Sequence, residues 1–243
     1  MSQLIAQKAF AKNLFDRHPT FIPTQALYVD LEGRQHGSED ILSLYWPVLP
    51  SAARFSWLTR TEGNPLELEH FLYHVETIKA KKAKWIVVFS SGGDSPEERV
   101  RLADLFGRDP FPDSEWINLH QILSKSRHTK ASIRQNRNVW FCRDRSRVRY
   151  SLEALEWEFG IERPSNIRSH SNCYKDMGGM SGQMEVLSMV QRVMNGSASE
   201  NEELCLSQYC ESDVKNMFEI ASASEFILFS KLDRRSRRSY RAS

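Results

Sequence analysis

No part of the chain approaches the roughly 20 consecutive apolar residues that a membrane-spanning helix needs. Lys8, Lys12, Asp16 and Arg17 interrupt the first segment, where a secretion signal would be apolar. No membrane partner is therefore expected, and the chain reads as a soluble, intracellular, cytoplasmic protein. Cysteine is scarce as well. Cys142, Cys173, Cys205 and Cys210 form no C-x-x-C pair and no metal-type spacing with histidine, which argues against structural zinc and for reduced, mostly buried thiols. A phosphate loop of the G-x-x-x-x-G-K type is missing: "SSGGDS" has glycines but no lysine, so nothing points to a nucleotide-cofactor enzyme. Internal repeats are absent. Neither sign of charge dominates, since 33 Lys and Arg face 31 Asp and Glu for a net charge of +2.

The chain does contain enough apolar material, 40% of 243 residues, to bury a sizeable core. Ile5, Phe10 and Leu14 have helical spacing over "QLIAQKAFAKNLF", which predicts a helix ahead of the first strand. "TQALYVDLEG", "DILSLYWPVL" and "ARFSWLTR" read as three strands of an antiparallel meander. Leu66, Leu68, Phe71, Leu72, Val75 and Ile78 predict a helix between Pro65 and Lys82, and "KWIVVFSS" is a continuous apolar run suited to a strand covered on both faces. A helix then opens with Ser95 as N-cap, Pro96 and Glu98, and stops at Gly107. "YSLEALEWEFG" predicts a short helix ending at Gly160, and Arg163 to Gly182 reads as a long loop. "GQMEVLSMVQRVMNG" and a final helix capped by Ser199 and Glu202 complete the series. The expected fold class is α/β, with a mixed sheet flanked by helices. Residues 1–20 are expected to form a helical extension, 21–230 the domain, and 231–243 a basic tail.

Positive charge is concentrated rather than abundant. Lys125 to Arg149 contains nine Lys and Arg against Asp144, and "SKLDRRSRRSYRAS" closes the sequence with Arg234, Arg235, Arg237, Arg238 and Arg241. Arginine pairs with phosphate and stacks on bases. Arg134, Arg137, Arg143 and Arg145, with Arg234, Arg235, Arg237 and Arg238, are therefore candidate contacts to a nucleic-acid backbone.

The carboxylates carry the chemistry. Residues two apart in a strand share a face, so Asp30 and Glu32 project together from the end of the first strand. Tyr209 and Asp213, four apart, share a helix face, and Asp94 lies just after the second core strand. These four acids on three elements are expected to meet at one end of the sheet. Such a cluster is stable when it holds cations, and two Mg²⁺ or Mn²⁺ ions roughly 3.5 to 4 Å apart are a usual arrangement for phosphodiester cleavage. Asp176, in "YKDMGG", rivals Asp94 for the fourth place.

"YVDLEG", "SLEALEWEFGIERP" and "QYCESDVKNMFEI", in that order, resemble the motifs of the DEDD 3′-to-5′ exonucleases of the ribonuclease-H-like superfamily, in the branch with Tyr in the last motif. The resemblance spans residues 25 to 229. It implies that Asp30, Glu32, Asp94 and Asp213 bind two metal ions and that Tyr209 orients the attacking water. It also implies a substrate of single-stranded DNA or RNA degraded from the 3′ end. The second motif departs from the family pattern: "FSSGGD" has Ser90, Ser91 and glycines where members have an Asn and an aromatic, and Asp94 is its nearest match. Two other readings remain open: a catalytically weak or inactive nuclease fold that serves as a nucleic-acid-binding or assembly module, and an endonuclease on the same fold. Protein partners are not indicated by any motif.

Overall fold

The computed structural model of the chain describes residues 3–33, 40–48, 55–59, 72–77, 83–90, 97–135, 150–164 and 180–230. The first helix, α1, spans Gln3–Arg17. Strands β1 (Ala26–Gly33), β2 (Asp40–Tyr45) and β3 (Phe55–Thr59) follow, and residues 72–77 form the helical segment α2. After β4 (Trp85–Val88) come α3 (Glu97–Phe106), β5 (Glu115–Asn118), α4 (Leu119–Lys125) and α5 (Arg127–Gln135). The last helices are α6 (Leu152–Phe159), α7 (Met180–Met194) and α8 (Glu200–Phe229).

The five strands form one mixed sheet in the order β3-β2-β1-β4-β5. β1 pairs antiparallel with β2 and parallel with β4, β2 pairs antiparallel with β3, and β4 pairs parallel with β5. The expected meander is present. β5, α4 and α5 fill a stretch in which no element was expected, because "EWIN" is too short and too polar at its start to announce a strand. α7 begins at Met180, earlier than the loop expected to reach Gly182.

Side-chain alternation splits the core into two layers. Ala26 and Tyr28 of β1, Trp85 and Val87 of β4 and Ile117 of β5 pack with Phe10, Leu14 and Phe15 of α1 and Val214, Met217 and Ile220 of α8. Leu27, Val29 and Leu31, with Ile86 and Val88, face the opposite way toward Val75 and Leu102. A third cluster joins Ile41 of β2 to Val186, Met189 and Val190 of α7 and to Leu206 and Cys210 of α8. Burying a side chain of this kind stabilises by about 1.5–3 kcal/mol, so the row on each strand face fixes its register.

That parity decides where the acids go. Asp30 and Glu32 continue the row of Ala26 and Tyr28, on the face that α8 covers. α8 buries Leu206, Tyr209, Cys210, Asp213, Val214, Asn216, Met217 and Ile220, a stripe with helical spacing, so Tyr209 and Asp213 point into the sheet. The capping box of Ser199 and Glu202 starts α8 as expected. α6 is stopped by Gly160 in the left-handed conformation, φ 70°, and the Ile161 amide donates back to the Glu156 carbonyl at 2.9 Å. The chain is thereby turned so that Arg163 folds beneath α6.

Candidate functional site

Asp30, Glu32 and Asp213 converge: one carboxylate oxygen of each lies within 4.8 Å of the others. They line an open cleft of about 460 Å³ together with Glu153 of α6. Phe89, His120, Tyr150 and Tyr209 line its other walls, together with Ser151 and Leu152. The strand end and the α8 stripe thus meet where the spacing of Asp-x-Glu and Tyr-x-x-x-Asp places them. Asp94 and Asp176 lie outside the described residues.

Burial raises the pKa of Asp30 to about 6, although the charges of Arg101 and Arg163 pull it down. Glu32 is pushed well above the ordinary carboxylate range by burial and then by Asp30 and Asp213. Asp213 is raised by burial too, in opposition to Arg163, and Asp30 and Glu153 add to the rise. The cluster therefore holds three acids whose burial outweighs the charges of Arg101 and Arg163. Its donors are all carboxylate oxygens, the hard ligands that Mg²⁺ and Mn²⁺ prefer, so these residues fit the expected metal.

Tyr209 is 9% exposed, and burial followed by the Asp213 and Glu32 charges raises its pKa well above the usual phenol value. Its hydroxyl keeps its proton and is a donor. His120 stacks edge-on against Phe89, with ring centroids 5.4 Å apart, and burial lowers its pKa. The imidazole is neutral at physiological pH. Asn118, which caps α4, accepts from the Ser90 amide at 3.1 Å and donates to the Ser90 carbonyl at 2.9 Å. This pair fixes the exit of β4 beside the cleft.

Beneath the cleft lies a buried ionic network that sequence reasoning missed. Arg163, 2% exposed, donates to Glu156 from Nε at 2.8 Å and from Nη2 at 2.7 Å, and its Nη2 also pairs with Asp213 Oδ1. Asn216 donates to Glu156 Oε1 at 3.0 Å, and the Arg163 guanidinium lies 5.2 Å from the centre of the Tyr209 ring. Burial alone would lower the pKa of Arg163, but Asp213 and Glu156 reverse the effect and hold it firmly charged. One signal was present in the sequence: Leu152, Leu155 and Phe159 form one apolar stripe on α6, and Glu156, four after Leu152 and three before Phe159, falls on it.

Of the arginines named from the sequence, Arg134 lies 5.7 Å from the centre of the Tyr150 ring, as does the Lys130 ammonium. Both stand on α5 beside a residue of the cleft wall. Arg137, Arg143, Arg145, Arg234, Arg235, Arg237 and Arg238 lie outside the described residues. Among those residues no helix is long and apolar enough to cross a membrane.

Searches against protein-family models, curated proteins and solved structures return no match to this chain.

Proposed function

We propose that the chain is a divalent-metal-dependent nuclease of the ribonuclease-H-like, DEDD type, hydrolysing phosphodiester bonds of single-stranded nucleic acid from the 3′ end. The observation that carries this reading is the convergence of Asp30, Glu32 and Asp213, with Tyr209 beside them, in an open cleft. The mixed sheet flanked by helices is compatible with that fold. In this reading Asp30, Glu32 and Asp213 hold the metal, with Asp94 as the fourth ligand expected from the sequence. When bound, Mg²⁺ or Mn²⁺ lowers the pKa of a coordinated water and stabilises charge on the leaving oxygen. Tyr209, a protonated donor, orients a water or a phosphate oxygen. Phe89, Tyr150 and neutral His120 supply faces on which bases stack. Lys130 and Arg134 offer positive charge beside Tyr150, off the acidic floor that would repel the backbone.

A second reading has its own observation. The ion pair between Arg163 and Asp213 already satisfies one of the three carboxylates. A nuclease fold that binds nucleic acid without cutting it would look the same.

Single-stranded DNA and RNA, labelled in turn at either end, separate the two. Metal-dependent shortening from the 3′ end, lost in chelator and in Asp30→Asn, is expected. Cleavage that persists in chelator excludes the metal mechanism. Salt-sensitive binding with no cleavage in Mg²⁺ or Mn²⁺ selects the second reading.

A further inference from the structure

We infer that Arg163 is the resident counter-cation of Asp213 and takes the place of one metal ion, so that the substrate-free protein loads one divalent cation, at Asp30 and Glu32. This inference rests on the metal-binding reading of the cleft. It goes beyond that reading by giving Arg163, which stands in "SLEALEWEFGIERP" without an assigned role, the part of a positioning residue, and by reducing the number of ions from the two expected.

The geometry of the guanidinium is that of a fixture. Both carboxylate oxygens of Glu156 accept from it, at 2.8 and 2.7 Å, and Asn216 holds Glu156 in turn at 3.0 Å. Arg163 is thus anchored from the side away from the cleft and does not depend on Asp213 for its position. Its Nη2 then reaches Asp213 Oδ1, and its plane lies near the Tyr209 ring, one helical turn earlier on α8. A guanidinium does not lose its proton in a protein, so this positive charge is permanent. A second cation approaching Asp213 meets a like charge already bonded to that carboxylate.

The other side of the cluster is arranged differently. Arg101 acts on Asp30 and Glu32 by its charge, while its Nη1 donates to the Leu31 carbonyl at 3.0 Å. With Asp213 already bonded to the guanidinium, the carboxylates of the cluster left to hold an ion are Asp30 and Glu32.

Equilibrium dialysis against Mn²⁺, with metal analysis of the dialysed chain, counts the ions. Wild type is expected to hold one. The double variant R163M/E156Q removes the guanidinium together with its anchoring charge; it should bind a second ion, or the first about tenfold or more tightly, because a like charge has gone. R163K, which keeps the charge, should stay at one. A purely structural arginine gives the opposite result, weaker Mn²⁺ binding in the double variant, and that overturns the inference. Two ions in wild type overturn it as well, and this count decides alone if the double variant fails to melt cooperatively. A wild-type chain that binds no Mn²⁺, or binds it equally after Asp30→Asn with Glu32→Gln, overturns the metal reading itself.

Discussion

The two halves of the acid cluster solve the same electrostatic problem in different ways. On β1, Asp30 and Glu32 face the cleft, where the charge of Arg101 acts on both and that of Arg163 on Asp30, and burial raises them as it raises Asp213. On α8, Asp213 is bonded to a guanidinium that is itself anchored by Glu156 and Asn216. In the reading proposed above, the β1 side takes its cation from solution, whereas Asp213 is bonded to one within the chain. A carboxylate in the first environment weakens the metal-free fold, whereas in the second it is part of what holds α6 to α8.

The sharpest way to break this contrast is by substitution in chelator. Asp213→Ala should cost about 1.5–3 kcal/mol, since Arg163 loses one of its two carboxylate partners but stays bonded to Glu156. Asp30→Ala should be neutral or stabilising. Equal losses of melting temperature in the two variants would erase the distinction.

The pH dependence comes next. Folding favours the protonated form of Asp30, whose pKa rises from 3.8 to about 6. Its contribution is fully present below about pH 4 and is lost as pH rises through about 6. Chelated protein should accordingly lose on the order of 2–3 kcal/mol from this group between pH 4 and pH 7. Glu32 and Asp213 are displaced in the same direction. Asp30→Asn should flatten the profile when melts of the two proteins are compared over that range. An unchanged profile would mean that Asp30 is not the strained acid.

Tyr209→Phe keeps the ring under Arg163 but removes the donor. Turnover should fall about a hundredfold, the usual effect of losing one preorganised donor, with melting little changed. If turnover is unaltered, Tyr209 only packs. The smallest expected effect is that of Gly160→Ala. Nothing lies within 4 Å of an added Cβ, so the cost is that of a left-handed φ alone, about 1–2 kcal/mol. A larger loss would show that the turn into Arg163 bears on the ionic network.

The β1 half of the site was legible in the sequence because strand alternation is geometric: once Tyr28 faces the core, Asp30 and Glu32 must follow it. Tyr209 and Asp213 were legible for the same reason on a helix. What separates Asp213 from Asp30 was not, because it depends on Arg163. That residue sits in what reads as a long loop, 50 positions from its partner, and no short-range pattern links them. Glu156 and Asn216 were hidden likewise, since helical period marks buried positions but does not say which will be ionic. β5 and α4 escaped because a four-residue strand carries too little alternation to stand out. Their consequence for the site is real, as they bring His120 to the cleft and Asn118 to Ser90 at the exit of β4.

The most direct test of the central claim is a thermal melt of wild type and of Asp30→Asn with Glu32→Gln, at neutral pH, as Mn²⁺ is raised. Wild type should gain stability with each increment, by about 2.7 kcal/mol when free Mn²⁺ reaches a hundred times its dissociation constant. The double variant should start higher in chelator and gain nothing. Equal Mn²⁺-dependent shifts in both proteins, or none in wild type, would contradict a metal site built on Asp30 and Glu32.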